Sequence, residues 1–243
     1  IGACDNGTCI GDEGDTLDFT CTGTDPSALD VLYYAWDFGD GYSDGAAQSF
    51  TFADDGSFSV LCEVEDDDGD ADYHELTVSI ANLDPSLLGV SGTWSDYEGE
   101  LLSFAAAVSD PGVDDVLTVS WDWGDSSAVE TGDSVTHEYA DEGNYALIVL
   151  VEDGDGGVDA DILTVSIGNL PPELFASCPA SSLVEGDSVS VAAQAVDPGS
   201  ADVLSWSLSG APAGAILTPA GGDASLDWTI SFDDVALSPV TWT

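Results

Sequence analysis

The sequence contains no lysine and no arginine, although it carries 48 aspartates and glutamates. A chain of this length with ordinary composition would have roughly 25 to 30 basic residues. Apart from two histidines and the amino terminus, no group can pair with the carboxylates. Their mutual repulsion must therefore be relieved by solvent cations or by bound metal. The same negative field disfavours binding to nucleic acid and to anionic membrane surfaces.

The sequence also lacks methionine, and no apolar run approaches the length of about 18 residues that indicates a membrane-spanning helix. Because it starts at Ile1, we expect it to be a mature or excised segment of a larger secreted protein. Hydrophobic residues make up 44% of the chain, with seven Trp, seven Tyr and eight Phe. That content is typical of a folded protein, so the acidity does not indicate disorder.

A tryptophan-containing stretch recurs at a fixed interval. Trp36 opens Trp-Asp-Phe-Gly-Asp-Gly, Trp121 opens Trp-Asp-Trp-Gly-Asp-Ser, and Trp206 opens a degraded copy, each tryptophan 85 residues after the last. An aromatic residue before a Gly-Asp-Gly turn is typical of a strand that has one buried face and ends abruptly. One such strand per 85 residues predicts three similar domains. The predicted domains are residues 1–82, 83–169 and 170–243.

Apolar and polar residues alternate in several further segments, for example at Leu17, Phe19 and Cys21. This alternation predicts half-buried strands, and no stretch indicates a long amphipathic helix. The linkers at 80–85 and 167–172 are short and contain proline, which stiffens them. We therefore predict an all-β protein of three tandem β-sandwich domains, held end to end as an extended rod.

The third repeat begins like the other two, with Gly186, Val189 and Asp197 at matching positions. It then diverges, and the sequence stops at Thr243, about where a last strand should begin. This domain is therefore expected to be incomplete at its C-terminus. Either the sequence is truncated there, or another subunit supplies the missing strand.

Besides the stretch at 36–41, three further motifs are distinctive: Val-Thr-His-Glu-Tyr at 135–139, Gly-Asn-Tyr-Ala-Leu at 143–147 and Glu-Asp-Gly-Asp-Gly-Gly at 152–157. With these motifs the first two repeats resemble PKD (polycystic kidney disease) domains. The resemblance implies an immunoglobulin-like β-sandwich of extracellular and cell-surface proteins, used as a spacer, an adhesion module or an accessory to enzymes. Ser126 departs from the pattern, because this turn position usually holds glycine.

The third repeat resembles instead the cadherin-like or immunoglobulin-like domains of bacterial surface proteins. The resemblance lies in Trp-Ser-Leu-Ser-Gly-Ala-Pro-Ala-Gly at 206–214. It implies that this domain too is a β-sandwich.

The cysteines indicate disulfides. Cys21 and Cys62 occupy core-facing positions on the second and the penultimate strand of the pattern, and an immunoglobulin-like sandwich places these strands face to face and often bridges them. Cys4 and Cys9 flank a short turn and could pair locally, which would leave Cys178 odd or paired outside this chain. Disulfides imply an oxidising compartment, so we expect an extracellular or cell-surface location.

Carboxylates gather at one pole of each predicted sandwich. Asp25 and Asp66 each lie four residues beyond a paired cysteine, so both are displaced by about 13 Å toward the same end. Later repeats and the linkers place equivalent groups at the corresponding pole. Several oxygen ligands around one point, with no protein cation, suit Ca²⁺ better than Mg²⁺. The predicted calcium ligands are Asp25, Asp66, Asp68, Asn82, Asp84, Asp110, Asp153, Asp155, Asn169 and Asp197, with a further site near Asp5 or Asn6.

The competing interpretation is that these aspartates only form Asp-Gly turns, which are common in hairpins. We assign that turn-capping role to the aspartates that follow the first two repeated tryptophans, and a core role to the tryptophans themselves. The turn-capping residues are Asp37, Asp40, Asp122 and Asp125.

An enzyme is not expected. The two histidines, His74 and His137, are not at equivalent positions of the repeats, and the sequence has no phosphate loop, zinc-ligand spacing or nucleophile elbow. Paired carboxylates could in principle hydrolyse glycosides, but carboxylates at repeat-equivalent positions suit structure or metal binding better.

We therefore expect a non-enzymatic structural module: a stalk, a filament or surface-layer subunit, or an adhesin segment. Its expected partners are copies of itself or cell-surface proteins and glycans. The alternative is a glycan- or protein-binding accessory region of a secreted enzyme or adhesin, which would need an exposed aromatic patch.

Overall fold

The computed structural model describes residues 3–5, 8–27, 29–39, 41–177 and 183–231. Within these ranges the regular structure consists of strands alone, which confirms the predicted all-β class. None of these residues forms a helix that could cross a membrane. The chain divides into two compact units, so the extended rod stays a prediction. Unit 1 comprises Ile1–Ser91, Phe104–Val135 and Leu147–Leu163, and unit 2 comprises Gly92–Ser103, Thr136–Ala146 and Thr164–Thr243.

Twenty strands are described. In the first repeat they are β1 (Ala3–Asp5), β2 (Thr8–Asp12), β3 (Thr16–Thr20), β4 (Tyr33–Asp37), β5 (Tyr42–Asp44), β6 (Ala47–Thr51), β7 (Gly56–Glu65) and β8 (Ala71–Ala81). In the second they are β9 (Ser86–Gly92), β10 (Ser95–Tyr97), β11 (Leu101–Ser109), β12 (Thr118–Asp122), β13 (Glu130–Thr131), β14 (Ser134–Glu138), β15 (Gly143–Glu152) and β16 (Val158–Gly168). In the third they are β17 (Glu173–Ala176), β18 (Ser188–Val196), β19 (Ile216–Ala220) and β20 (Asp223–Thr229).

The first repeat is a sandwich of a six-stranded and a two-stranded sheet. The larger sheet has the order β1-β2-β8-β7-β4-β5, and the smaller pairs β3 with β6. Strand β2 runs parallel to β8, whereas β7 is antiparallel to both β4 and β8. Alternation places Phe19 of β3 and Trp36 of β4 in the same core, with ring centroids 5.5 Å apart.

The second repeat has a five-stranded sheet, β10-β16-β15-β12-β13, and a three-stranded sheet, β14-β11-β9. Trp121 is buried, and its indole N–H donates to the carbonyl of Gly132 at 2.8 Å. The third repeat makes the equivalent bond from Trp206 to Gly221 at 2.9 Å. In the second and third repeats the tryptophan therefore holds the hairpin that follows it. Trp36 and Trp121 are core residues, as expected, whereas Trp206 is half-buried.

The described part of the third repeat forms a four-stranded sheet with the order β17-β18-β20-β19. Its core contains Val189, Val191 and Leu226. The segment expected to lack a last strand lies outside the described residues, as do Cys178, Asn6 and Asp40.

The structure joins Cys21 and Cys62 in a disulfide, as the sequence predicted, with their Cα atoms 6.5 Å apart. Cys9 is also disulfide-bonded. Cys4 lies opposite Cys9 in the pairing of β1 with β2, although its side chain and that of Asp5 lie outside the described part of the chain.

Candidate metal centres

A glutamate is buried at the turn between β2 and β3. Glu13 is 1% exposed, and its Oε1 atom accepts a hydrogen bond from the backbone N–H of Leu83 at 2.7 Å. The Glu13 backbone N–H in turn donates to the carbonyl of Ala81 at 3.1 Å. The second carboxylate oxygen, Oε2, is buried and has no hydrogen-bond partner. The linker therefore fixes one oxygen of this carboxylate and leaves the other available.

Five aspartates form with Glu13 what we call the first cluster, which lies wholly within unit 1. Their carboxylates fall into overlapping groups whose oxygens lie within 4.8 Å of one another. The groups are Glu13 with Asp110 and Asp115, Glu13 with Asp54 and Asp55, and Asp54 with Asp115 and Asp155. The Oδ2 atoms of Asp110 and Asp115 are also buried without a hydrogen-bond partner.

Gly112 allows the loop after β11 to approach Glu13. The Asp110 carboxylate accepts from the Gly112 N–H at 2.7 Å, and the Gly112 carbonyl accepts from the Asp115 N–H at 3.2 Å. A Cβ atom at Gly112 would lie 2.6 Å from Glu13 Oε2 and from Asp115 Oδ2. A larger residue at this position would therefore displace the two carboxylates.

The second cluster has the same construction and lies wholly within unit 2. Glu98 is 0% exposed, its Oε1 accepts from the Leu170 N–H at 2.6 Å, and its Oε2 is buried without a partner. Carboxylate oxygens of Asp141, Glu142 and Asp202 lie within 4.8 Å of one another and of Glu98.

Each member of the second cluster has a counterpart in the first. Glu98 corresponds to Glu13, Asp141 to Asp54, Glu142 to Asp55 and Asp202 to Asp115. Gly199 corresponds to Gly112, and a Cβ atom there would lie 2.7 Å from Glu98 Oε2. Two copies of one arrangement, at equivalent places of different repeats, indicate a selected feature of the fold.

Burial raises the pKa values of three carboxyl groups in the clusters, those of Glu13, Asp115 and Asp202. Burial, followed by the charges of Glu13, Asp110 and Asp54, raises the pKa of Asp115 to about 7. Burial also raises the pKa of Glu13, against the lowering effect of the Leu83 N–H, and burial raises the pKa of Asp202 in the second cluster. Without a cation, each cluster therefore retains protons at a pH at which isolated carboxyl groups have lost theirs.

Asp153 behaves in the opposite way. The Asn82 amide donates to its Oδ2 at 2.8 Å, and the backbone N–H groups of Asp155, Gly156 and Gly157 donate to its Oδ1 at 2.8 to 3.0 Å. The Asn82 amide, with these N–H groups, lowers the pKa of Asp153. Its two oxygens thus organise the loop and the linker, and Asp153 belongs to none of the carboxylate groups.

The other predicted ligands lie in three kinds of place. Asp110 and Asp155 belong to the first cluster, and Asp197 lies beside the second, where its Oδ1 accepts from the Gly199 N–H at 3.0 Å. Asp25 and Asp66 lie within 4.8 Å of each other and of Asp30. The structure leaves the remaining three exposed and outside the carboxylate groups: Asp68, Asp84 and Asn169.

Sequence reasoning missed most of both clusters, and above all their glutamates. The available signal was a Glu-Gly pair that recurs at 13–14, 98–99 and 185–186. Only the glycine of this pair was considered, as a position that matches between the repeats. The other missed residues are Asp54, Asp55, Asp115, Asp141, Glu142 and Asp202.

The family model described as PKD domain matches residues 5–80 and 84–167, which is more than half of the chain. The chain belongs to the PKD-domain family. Its PKD repeats, like immunoglobulin-like domains in general, are modules typical of extracellular and surface proteins and are generally non-catalytic. The disulfide agrees with that setting.

A segment of 51 residues is 41% identical to the pre-pro-metalloprotease PrtV of Vibrio cholerae serotype O1. The match covers 21% of this chain and 6% of that relative. Among solved structures, the eight N-terminal immunoglobulin domains of Down syndrome cell adhesion molecule align with 91% of this chain and 35% of theirs, at 16% identity and a TM-score of 0.39. The amphioxus IgVJ-C2 molecule aligns with 65% of this chain and 99% of its own, at 12% identity and a TM-score of 0.41.

Proposed function

We propose that this protein is a non-enzymatic extracellular structural module in which calcium, bound by the two carboxylate clusters, fixes each repeat to the next. The observation that carries the proposal is the pair of buried, unpartnered oxygens, Glu13 Oε2 and Glu98 Oε2. Each of these glutamates belongs to a group of carboxylates whose oxygens lie within 4.8 Å of one another.

A buried carboxylate without a partner is costly. Removing one from water costs several kcal/mol unless a cation or hydrogen bonds compensate. The chain has no lysine or arginine to supply that cation, and neither histidine belongs to the clusters. A cation from solvent is therefore the natural partner of both clusters.

The donor set favours calcium over magnesium and zinc. Calcium takes six to eight oxygen ligands with flexible geometry, whereas magnesium requires a near-ideal octahedron and retains several waters. Zinc prefers nitrogen and sulfur ligands in a tetrahedron. The first cluster offers six carboxylates from one Glu and five Asp, and no nitrogen or sulfur ligand.

Calcium in the first cluster would connect segments that are far apart in sequence. Glu13 and the Asp54-Asp55 pair come from the first repeat, and Asp110 and Asp115 come from the second. The Glu13 carboxylate also holds the linker at Leu83. One ion would thus bind together both repeats and the segment between them, which is the mechanical role that we propose.

Thermal unfolding of the whole chain tests the proposal, with millimolar Ca²⁺, with Mg²⁺ and with a chelator at matched ionic strength. A ligand that binds only the native state adds about 2.7 kcal/mol per site at a concentration one hundred times its Kd. We expect calcium, but not magnesium, to raise the Tm. This rise should be smaller in Glu13→Gln and smaller still in the double variant Glu13→Gln, Glu98→Gln. An identical Tm in calcium and in chelator would overturn the proposal.

A second candidate function is an accessory region of a secreted protease. It rests on the 51-residue match to PrtV, which is named as a pre-pro-metalloprotease. The test is the sequence of the parent gene, because a protease domain in the same reading frame would support this function. Calcium-braced repeats are compatible with that role as a spacer.

A further inference from the structure

Three tyrosines are prominently exposed on one sheet of the first repeat. Tyr33 of β4 is 58% exposed, Tyr42 of β5 is 56% exposed, and Tyr73 of β8 is 55% exposed. Side chains of this size normally contribute to a core or to an interface.

The strand register places all three on the same face. In the order β8-β7-β4-β5, Tyr73 lies opposite Glu63, and Glu63 lies opposite Ala35 of β4. Tyr33 shares the face of Ala35 because it is two residues away, and Tyr42 lies opposite Asp37 on that same face. The intervening Trp36 points into the core. We call this outer surface of β8, β7, β4 and β5 the tyrosine face.

The fold itself does not require these tyrosines. Thr118 lies opposite Glu152 in the second repeat, as Tyr33 lies opposite Glu65 in the first. The residue that corresponds to Tyr73 in the second repeat is Ala160. The same type of sheet therefore forms with small residues at these positions.

Carboxylates lie between the tyrosines. The register puts Glu63, Glu65 and Glu75 of β7 and β8 on the tyrosine face, with Asp37 of β4 and Asp44 of β5. Glu63 is hydrogen-bonded to the Tyr73 hydroxyl, and Glu75 accepts from the Ser59 hydroxyl at 2.5 Å. The surface combines aromatic rings with negative charge and contains no basic group.

We propose that the tyrosine face binds a basic peptide segment of another protein, one that carries arginine and lysine. Guanidinium and ammonium groups bind over tyrosine rings, and arginine also makes paired hydrogen bonds with carboxylates. A second copy of this chain does not fit, because it has no lysine or arginine to present.

The size of the face favours an extended segment over a globular partner. Three strand spacings of about 4.8 Å separate β8 from β5, which gives a width of about 14 Å. Along the strands, Tyr33 and Asp37, the residue paired with Tyr42, are four residues apart, or about 13 Å. The area that the tyrosines mark out is thus roughly 200 Å², well below the roughly 800 Å² that each partner contributes to a standard protein interface. It accommodates a single extended strand or loop.

The test is a fluorescence anisotropy titration of the whole chain with a labelled peptide of about ten residues that alternates arginine and serine. Saturating Ca²⁺ and about 0.15 M ionic strength limit binding through the carboxylate clusters and through general charge attraction. The test variant combines Tyr33→Thr, Tyr42→Ser and Tyr73→Ala, which keeps the net charge. Two of these changes copy the second repeat, and an unchanged Tm verifies folding. The matched control is Tyr97→Ala, which removes an exposed tyrosine of the second repeat.

We expect the triple variant to bind the peptide at least about tenfold more weakly than the wild type, since aromatic and arginine contacts dominate interface energies. The control should bind like the wild type. Equal Kd values for the triple variant and the wild type would overturn the proposal, because they would show charge attraction alone. The proposal would also be overturned if the chain bound neutral oligosaccharides in a tyrosine-dependent way and did not bind the arginine peptide. The tyrosine face would then be a glycan-binding surface.

Discussion

The carboxylate of Glu13 accepts a hydrogen bond from the backbone N–H of Leu83 at 2.7 Å, across 70 residues of sequence. The equivalent bond joins Glu98 to Leu170 at 2.6 Å. A hydrogen bond to an ionised group is about twice as strong as a neutral one, so it holds the carboxylate in place. In both cases the other oxygen is buried without a hydrogen-bond partner, and the glutamate belongs to a group of carboxylates whose oxygens lie within 4.8 Å of one another. The linker thus fixes one carboxylate of a group that could hold a metal ion.

Glu13→Gln should have opposite effects with and without calcium. In calcium the variant loses a charged ligand, so its Tm should fall below that of the wild type. Without divalent cations the variant loses a repulsive charge, so its Tm should equal or exceed that of the wild type. Calorimetry under the two conditions measures both effects.

The matched control for this experiment is Glu185→Gln. Glu185 precedes glycine at the equivalent position of the third repeat, but it is exposed. Its replacement should leave the calcium-dependent change in Tm intact. If Glu13→Gln had the same Tm as Glu185→Gln both with calcium and without divalent cations, the role assigned to Glu13 would be contradicted.

Gly112→Ala should disrupt the first cluster without a change of charge. The new methyl group would lie 2.6 Å from oxygens of Glu13 and Asp115, so these carboxylates must move apart. We expect a loss of about 1 to 3 kcal/mol in unfolding free energy, together with weaker calcium binding. Isothermal titration calorimetry measures the binding, and Gly199→Ala should act in the same way on the second cluster. Wild-type calcium affinity in both variants would show that the ion binds elsewhere.

Stability in the absence of divalent cations should depend on pH through Asp115. Its pKa is raised from 3.8 to about 7, so the folded state binds this proton more tightly than the unfolded chain does. The unfolding free energy should therefore decrease as pH rises from about 4 to about 7. Urea titrations across this range measure the slope, which Asp115→Asn should reduce and calcium should reverse. An unchanged slope in Asp115→Asn would assign the pH dependence to other groups.

Ser126→Gly should stabilise the protein. Ser126 has a φ of 71° and is the one described residue other than glycine with positive φ. That conformation costs roughly 1 to 2 kcal/mol for a residue with a side chain, and glycine recovers most of this at an entropic cost of about 0.5 to 1 kcal/mol. We expect a net gain of about 0.5 to 1 kcal/mol, measurable by urea unfolding. Ser127→Gly, at the next position, should bring no such gain.

The double variant Cys21→Ala, Cys62→Val should destabilise the first repeat while preserving its fold. The second repeat has Ala106 and Val149 at these positions, so the replacements suit the same core. The disulfide spans 41 residues, and its loss should cost about 2 to 4 kcal/mol. Urea unfolding measures the difference, and circular dichroism should show the same strand content. Unfolding at the wild-type urea concentration would mean that the bond contributes little.

The sequence predicted the features that depend on local pattern. Alternating residues located strands such as β3 and β7, and the paired cysteines gave a register in which Asp25 and Asp66 should be neighbours. The structure places their carboxylates within 4.8 Å of each other. These predictions succeeded because strand periodicity and rise fix where a side chain lies along a sheet.

The clusters were harder to predict because they form only where segments that are far apart in sequence pack against one another. Glu13 is buried only because Leu83 and the loop at Gly112 pack against it. Nothing near Glu13 in sequence indicates that burial, and glutamate beside glycine is usual in exposed turns. Asp153 shows the converse difficulty, because its carboxylate is occupied by N–H groups of its own loop and by Asn82. Composition cannot separate a carboxylate held in this way from one that is left open.

The middle repeat contributes to both clusters, with Asp110 and Asp115 in the first and Glu98 and Asp141 in the second. A single stretch of about 87 residues, the spacing from Asp54 to Asp141, therefore encodes both complementary parts of the arrangement. Duplication of this stretch by unequal recombination would create a further complete cluster at once, without any new point mutation. The number of candidate ion sites would then increase in step with the number of copies, because each added copy would supply the carboxylates for one further cluster.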